Sequence, residues 1–361
     1  MRPHVLWRLR LVLPLTVAFF ASVFLVVATL EGLFRVVPFC WSAARLAWRT
    51  AHEGRSYLRS DPLLGWANAP DVFIPDFFGP SQHLRTDARG FRGAEQVSPR
   101  PARRRLKLAC SGDSLTFGAG VGDEQTWCRR LGLQDPRLET INLGVPLYGL
   151  DQSYLRYARD AAPLAPDIHI AAVGDVDAQI SALSGSLLLP RPALELEDGR
   201  LGEARPPKWG IGPVRCMVPL LRTMDSHLGV FSALGRLVSS RRSRRRAEAL
   251  LLSILGSFDA QARARGGAFL AVFLPTTTAL ERDWEAPEAD RLCAELRRRG
   301  IPVVNLVDEF RRWPDNVQHQ IFQPMGLDLS LMGHERIAVL LYRRLLVAPG
   351  AAQLRSRGVP R

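Results

Sequence analysis

The stretch Cys110-Ser111-Gly112-Asp113-Ser114-Leu115-Thr116-Phe117-Gly118-Ala119-Gly120-Val121 decides the fold of this 361-residue chain. It follows the apolar run Leu106–Cys110, which is typical of a strand buried on both faces of a sheet. Glycines on both sides of Ser114 allow a sharp turn from strand to helix that presents the serine hydroxyl. The N–H groups of such a turn can face a negatively charged oxygen. The triplet alone also fits an ordinary turn in which Ser or Asp caps the helix.

Short apolar runs and amphipathic stretches alternate around this turn. The runs are Leu106–Cys110, Thr140–Leu143, Ile168–Val173, Phe269–Leu274 and Ile301–Val307. The stretches with helical spacing are Thr126–Leu133, Gln152–Ala162, Arg245–Arg265, Glu288–Arg299 and Gly333–Leu346. This alternation predicts one doubly wound α/β domain over residues 100–350, with a parallel sheet of about five strands. Its functional residues are expected at the carboxyl ends of the strands.

The N-terminal segment, residues 1–39, carries a second apolar feature. Leu11 to Leu30 contains no charged residue, and a helix of that length, about 30 Å, matches the hydrocarbon core of a bilayer. Apolar character resumes from Gly32 to Phe39, with Arg35 as an interruption. A cleaved signal peptide is the alternative, but its apolar region would be shorter, so we predict one transmembrane helix at about residues 11–30, with 39 as its furthest limit.

Three other regions interrupt the α/β pattern. Residues 40–99 are predicted to be an extended lead-in to the domain, because residues 56–99 are rich in Pro, Gly and Asp. Residues 183–242 are rich in Pro, end in basic residues, and predict an insertion between the third and fourth strands. Residues 351–361 form a tail.

The net charge of +13 is concentrated in arginine clusters within residues 1–55, 100–107 and 236–246. Such clusters suit anionic lipid headgroups, and no nucleic-acid-binding module accompanies them. The five cysteines show no spacing typical of a metal or redox site. We therefore expect the membrane as a partner, and no metal, cofactor or nucleic acid.

The sequence resembles the SGNH (GDSL) hydrolase family, in particular its membrane-anchored bacterial members, over most of residues 57–347. The matching groups are Gly90-Phe91-Arg92-Gly93, Gly112-Asp113-Ser114, Asn142-Leu143-Gly144-Val145-Pro146, Pro166-Asp167 and Leu274-Pro275-Thr276. The resemblance implies a flavodoxin-like sheet, Ser114 as the nucleophile, and the N–H groups of Gly144 and Ser114 as donors to an oxyanion. It also implies a bacterial cytoplasmic-membrane protein whose domain lies outside the cytoplasm.

The third and last family blocks depart from the pattern. The third block normally supplies an asparagine donor, but Val173-Gly174-Asp175-Val176-Asp177 contains none. The last block normally supplies an Asp and, three residues later, the base His. Alignment on Leu329-Ser330 and Gly333-His334 places Asp328 at the His position and Met325 at the Asp position.

Three other histidines could replace the missing base. His334 follows in the first turn of the final helix, where Asp328 could orient it. His319 lies in the preceding loop, and His169 lies within the third strand. The candidate catalytic set is therefore Ser114, His334 and Asp328, with Gly144, Asp113 and Asp175 on the oxyanion and substrate side.

The sequence is compatible with two functions. One is a membrane-anchored serine hydrolase or acyl transferase acting on O-acyl groups of envelope glycans or lipids, the substrate class that the resemblance implies. The other is a catalytically degenerate domain that binds a glycan or an envelope-assembly partner. A serine without a base in hydrogen-bond reach is a weak nucleophile, which is the argument for the second.

Overall fold

A computed structural model describes residue 22 and residues 57–93, 105–174, 176, 179, 191–197, 200–207, 241–281, 286–323 and 328–347. The predicted membrane span lies outside these residues except for Ser22. In the described part of the chain, no helix is both long enough and apolar enough to cross a membrane.

The strands are β1 (Leu58–Asp61), β2 (Gly65–Asn68), β3 (Phe73–Gly79), β4 (Gln82–Arg85), β5 (Leu106–Ser111), β6 (Leu138–Asn142), β7 (Ile168–Val173), β8 (Leu196–Glu197), β9 (Arg200–Leu201), β10 (Ala268–Phe273) and β11 (Val303–Asn305). The α-helices are α1 (Ser114–Phe117), α2 (Trp127–Leu133), α3 (Leu150–Arg156), α4 (Arg241–Ala264), α5 (Thr277–Glu281), α6 (Ala286–Arg298), α7 (Leu306–Arg311), α8 (Asp315–Gln318) and α9 (Leu331–Val347). One π-helical turn, Tyr157–Ala161, continues α3.

The central sheet has five parallel strands in the order β11-β10-β7-β5-β6. When the five strands are numbered along the chain and the order is read from β6, it is 2-1-3-4-5, the flavodoxin-like arrangement. The predicted fold class is therefore confirmed for the α/β domain. The order reverses between β5 and β7. The loops after β5, β6 and β7 therefore meet at one edge, where ligands bind in such sheets.

Two apolar clusters cover the two faces of the sheet. One includes Phe258 of α4 and Leu292 of α6; the other includes Trp127 of α2 and Leu341 of α9. β5 and β7 are buried along their whole length. Burial on both faces explains why their sequences are continuously apolar.

The described lead-in, residues 57–93, forms two antiparallel hairpins, β1-β2 and β3-β4. Their side chains build a third apolar cluster with residues of the domain, in which Tyr57 and Trp66 join Phe117 and Tyr148. The Tyr57 and Phe117 rings stack with their centroids 5.7 Å apart. The lead-in thus packs directly on α1. Residues 191–207 of the insertion include the short hairpin β8-β9.

The last strand is shorter than its apolar sequence predicts. β11 ends at Asn305, whose side chain accepts hydrogen bonds from Val307 N and Asp308 N and so caps α7. Such a cap provides partners for the first N–H groups of a helix. The apolar residues Leu306 and Val307 therefore belong to the helix and not to the strand.

Candidate active site

Ser114 begins α1 at the carboxyl end of β5, in a tight connection that we call the Ser114 turn (residues 111–118). Asp113 caps the helix, since its Oδ1 accepts from Leu115 N at 3.0 Å. Gly112 cannot carry a side chain, because a Cβ there would lie 2.2 Å from Thr116 Oγ1. Gly118 ends the helix at φ 80°, in the left-handed region that favours glycine. Gly112 and Gly118 are therefore each required by the local structure.

The Ser114 side chain is half-buried. Its carbonyl accepts hydrogen bonds from Gly118 N and Ala119 N. Neither its hydroxyl nor its backbone N–H bonds to any described residue. Within the described residues, the Ser114 hydroxyl and N–H are therefore both left for a ligand, and the role of Ser114 as a nucleophile stays a prediction.

The Arg92 side chain holds the far end of the turn. Its Nη1 donates to Phe117 O (2.8 Å) and Gly118 O (2.7 Å), and its Nη2 donates to Val121 O (2.6 Å). Its Nε donates to Asp123 Oδ1 at 3.0 Å in a buried ion pair. A cation at the C-terminal carbonyls of a helix is electrostatically favourable. Sequence reasoning noted Arg92 only as part of a matching motif and missed this role.

Gly144 lies directly against α1, but its N–H is not available to a ligand. A Cβ at Gly144 would lie 2.1 Å from Phe117 N, so only glycine permits this approach. The Gly144 N–H donates to Asn142 Oδ1 at 2.9 Å, while Asn142 Nδ2 donates to Thr116 O at 2.8 Å. The donor that the family resemblance assigned to an oxyanion is thus engaged in a buried hydrogen bond.

The lead-in also holds the loop after β6. Asn68 Nδ2 donates to Gly144 O and Trp66 Nε1 donates to Pro146 O, each at 3.0 Å. Leu147, directly after these contacts, adopts φ 62°, a left-handed conformation that costs a non-glycine residue about 1–2 kcal/mol. The β1-β2 hairpin is therefore part of the site's framework, which the sequence pattern of an extended lead-in did not indicate.

The loop after β7 approaches the turn at Gly174, where a Cβ would lie 2.8 Å from Asp113 Oδ2. Val176 belongs to the apolar core and is 9% exposed. Asp175 lies outside the described residues, so its predicted role on the substrate side stays a prediction.

His334 is a buried structural residue and not a partner of Ser114. Its ring is fully buried, and its Nδ1 accepts a hydrogen bond from Trp127 N at 3.1 Å, which satisfies the first N–H of α2. Its Nε2 has no hydrogen-bond partner among the described residues. Burial, together with the positive charge of Arg92, lowers the pKa of His334 to about 3. An imidazole with such a pKa is a poor general base at neutral pH.

Asp328 is half-buried, and its carbonyl accepts from Gln323 N at 2.8 Å. The structure shows no hydrogen bond from either Asp328 or Ser114 to His334 within the described residues. Met325, which aligns with the family's Asp, lies outside the described part of the chain. The predicted Ser114–His334–Asp328 set is therefore not assembled in this structure.

The other two candidate histidines, His169 and His319, are not partners of Ser114 among the described residues either. His169 of β7 is fully buried, and its Nε2 lies 2.9 Å from Ser111 Oγ. Its ring stacks on Tyr157 at 3.7 Å, and burial lowers its pKa well below 6.5. His319 is exposed in a 3₁₀ turn, His319–Ile321. The one side-chain hydrogen bond between a serine and a histidine in the described residues thus involves Ser111, inside the core, and not Ser114.

No protein-family model and no curated protein matches this chain. Solved structures do match it at low sequence identity. A lipase/acylhydrolase from Enterococcus faecalis is 13% identical, with 66% of this chain and 94% of that chain covered and a TM-score of 0.39. An acetyl xylan esterase is 12% identical, with 66% and 100% covered and a TM-score of 0.42. A GDSL-like lipase from Bacteroides thetaiotaomicron VPI-5482 is 14% identical, with 69% and 91% covered and a TM-score of 0.39.

Proposed function

We propose that this chain is an SGNH-type domain that binds an O-acylated ligand at the Ser114 edge of its sheet without Ser–His hydrolysis. The observation that carries the proposal is the engagement of His334: its ring is buried, and its Nδ1 accepts from Trp127 N. A serine needs a base in hydrogen-bond reach to become an effective nucleophile. Loss of the base from such a pair costs several orders of magnitude in rate.

The state of the oxyanion donors supports the same proposal. Stabilising an oxyanion requires donors that are free and aimed at the developing charge. Gly144 N–H is committed to Asn142, so Ser114 N–H is the remaining donor of the two that the resemblance implies. A single N–H and a hydroxyl suffice to hold the carbonyl or hydroxyl oxygen of a ligand.

The resemblance supplies the ligand class, an acylated glycan or lipid of the bacterial envelope. We further propose that residues 11–30 anchor the chain in the cytoplasmic membrane with the domain outside. Protease treatment of intact spheroplasts tests the orientation. Digestion of the domain supports it, and protection of the domain contradicts it.

The catalytic question is tested with the full chain in a mild detergent. A fluorophosphonate probe and p-nitrophenyl acetate are applied to the parent, to Ser114→Ala and to Ser257→Ala, whose hydroxyl bonds to Ser253 O within α4, away from the site. We expect all three to show the same labelling and turnover. Labelling of the parent and the Ser257 variant, but not of Ser114→Ala, would show that Ser114 is an active nucleophile.

Binding is tested separately by the shift in melting temperature with an O-acetylated oligosaccharide as the probe. We expect a shift with the parent and a smaller one with Ser114→Ala, because the variant lacks the hydroxyl. The same oligosaccharide after chemical deacetylation is the matched control ligand. Equal shifts with both oligosaccharides would contradict recognition of the acyl group.

A second candidate function, slow ester hydrolysis by Ser114, is favoured by the hydroxyl and N–H of that residue, to which no described residue bonds. Of the three candidate histidines, His319 is the one that the structure leaves exposed. Turnover that Ser114→Ala and His319→Ala each abolish would establish it.

A further inference from the structure

The helix α4 is longer than the sheet on which it packs. It has 24 residues, Arg241–Ala264, and is therefore about 36 Å long, whereas the six residues of β10 span about 20 Å. Its buried side chains, among them Leu251 and Phe258, belong to the cluster on one face of the sheet. Residues 265–267 join its end to the start of β10. α4 therefore runs antiparallel to β10, and its first turns lie beyond the carboxyl ends of the strands.

An ion pair supports this position of the first turns. Arg244 Nη2 lies 2.8 Å from Glu288 Oε2, and Glu288 is in the first turn of α6. The start of α6 lies at the carboxyl ends of the strands, because α6 follows β10 through the short helix α5. Ser114 follows the carboxyl end of β5, which is parallel to its neighbours in the sheet. The start of α4 and Ser114 are therefore at the same edge of the domain.

Arginines are concentrated at this end of α4. Five of the six residues 241–246 are arginine, and the first turn contains no acidic residue. Arg245 and Arg246 are exposed, and neither forms an ion pair with a described residue. By contrast, exposed Arg263 near the other end of the helix pairs with Asp259 at 2.8 Å. Neighbouring like charges repel one another, so the described contacts give Arg245 and Arg246 no role in stabilising the fold.

We propose that residues 241–246, which we call the basic end of α4, bind the anionic headgroups of a lipid bilayer. Clusters of four or more arginines on a helix recognise anionic lipids by charge, and each one near the surface raises the affinity by about fivefold. The attraction extends over a Debye length of about 8 Å and weakens as salt is added. A bilayer is the favoured occupant because the proposed membrane span keeps its headgroups at a high effective concentration around the domain.

Binding at the basic end of α4 turns the Ser114 edge of the sheet towards the bilayer, because both lie at the same edge of the domain. For the ligand, the consequence rests on the proposed function, in which Ser114 binds an acylated group. With this orientation, that group is presented at the membrane surface. Within the proposed ligand class, an acylated lipid is then favoured over a glycan remote from the membrane.

The test compares two lipid compositions. The full chain is reconstituted into nanodiscs of phosphatidylcholine alone or with added phosphatidylglycerol, and hydrogen exchange is followed by mass spectrometry on peptides from α4. We expect exchange in its first two turns to be several-fold slower in the anionic nanodiscs, and the difference to disappear at high salt. Equal exchange in the two nanodiscs would overturn the proposal. A chain that enters neither nanodisc would contradict the proposed membrane span, and the same peptides are then compared after vesicles of the two compositions are added.

Two double variants locate the effect. Arg245→Gln with Arg246→Gln should abolish the difference between the nanodiscs, since glutamine has the helix propensity of arginine without its charge. The matched control, Arg263→Gln with Arg265→Gln, removes two exposed charges at the other end of α4 and should keep the difference. Loss of the difference in both double variants would show that the total charge is responsible, and would overturn the proposal.

An acidic glycan is the competing occupant, and polygalacturonate is its probe. It is added to the chain in phosphatidylcholine nanodiscs. Slower exchange at the start of α4 with polygalacturonate, without any effect of phosphatidylglycerol, would overturn the proposal in favour of a glycan. None of these measurements depends on a ligand at Ser114, so their failure is distinguishable from failure of the proposed function.

Discussion

Replacing His334 by asparagine should remove a defined part of the protein's acid sensitivity. In the folded protein, burial holds the pKa of His334 at about 3, whereas an unfolded histidine titrates near 6.5. At a pH between these two pKa values, the imidazole is protonated in the unfolded chain and neutral in the folded protein. The contribution of neutral His334 to the free energy of unfolding is therefore fully present above about pH 6.5. It is lost progressively as the pH falls towards 3.

The size of the effect follows from the two pKa values. Each pH unit below 6.5 costs about 1.4 kcal/mol, so the His334 contribution lowers the free energy of unfolding by about 2 kcal/mol between about pH 7.5 and pH 5. His169 is also buried, and its pKa is also lowered. Its contribution is common to the parent and the variant and cancels in their difference. An asparagine Oδ1 can accept from Trp127 N in place of His334 Nδ1, so the helix start keeps its partner.

The assay is urea unfolding of the full chain in detergent, followed by tryptophan fluorescence, at about pH 7.5 and about pH 5. The parent should lose about 2 kcal/mol more than His334→Asn over this interval. Equal losses in the two proteins would mean that His334 titrates near its ordinary pKa. In that case the imidazole reaches solvent, and the case against it as the base of Ser114 fails.

Three further substitutions test the framework of the site by urea unfolding. Arg92→Ala should lower the free energy of unfolding by about 3–5 kcal/mol, because it removes the ion-pair partner of the buried Asp123 and the hydrogen bonds to three carbonyls. Hydrogen exchange should also increase at α1. The control Arg129→Ala breaks a surface ion pair with Glu124 and should cost about 1 kcal/mol or less; equal costs would contradict the role of Arg92. Gly144→Ala should destabilise the protein by several kcal/mol, since its Cβ would lie 2.1 Å from Phe117 N. The control Gly256→Ala should stabilise it by about 0.5–1 kcal/mol, because Gly256 lies within α4 and its Cβ would meet Ile301 Cδ1 at an ordinary 3.7 Å. Ser114→Ala should change the free energy of unfolding by less than about 0.5 kcal/mol, because its hydroxyl has no partner among the described residues, and a larger loss would reveal a structural role.

The sheet was predictable because its strands are buried on both faces. β5, β7 and β10 consist of almost continuous apolar residues, and their predicted bounds differ from the observed ones by one residue at most. The Ser114 turn was predictable because its glycines are required by contacts and backbone angles within a few residues of them. Local constraints of this kind leave a pattern in the sequence.

The contacts that decide the chemistry leave no such pattern. Arg92 binds carbonyls more than twenty residues away, and His334 binds Trp127 from the opposite end of the domain. A carbonyl has no sequence signature, so no spacing in the chain points to either bond. His334 also follows a glycine at the start of an amphipathic helix, where a histidine would usually face water. Its burial depends on α2 packing against α9, which only the tertiary structure shows.

The structural reasons found for the Gly-Asp-Ser motif bear on how it should be interpreted. Gly112 avoids Thr116, Asp113 caps α1, and Asn142 with Gly144 lets the next loop lie against that helix. All of these residues are needed for the fold whether or not the protein is an enzyme, so their presence does not argue for catalysis. Ser114 is different, because no described residue bonds to its hydroxyl or N–H. Ligand binding and labelling at this one residue therefore discriminate between the functions, and the completeness of the surrounding motif does not.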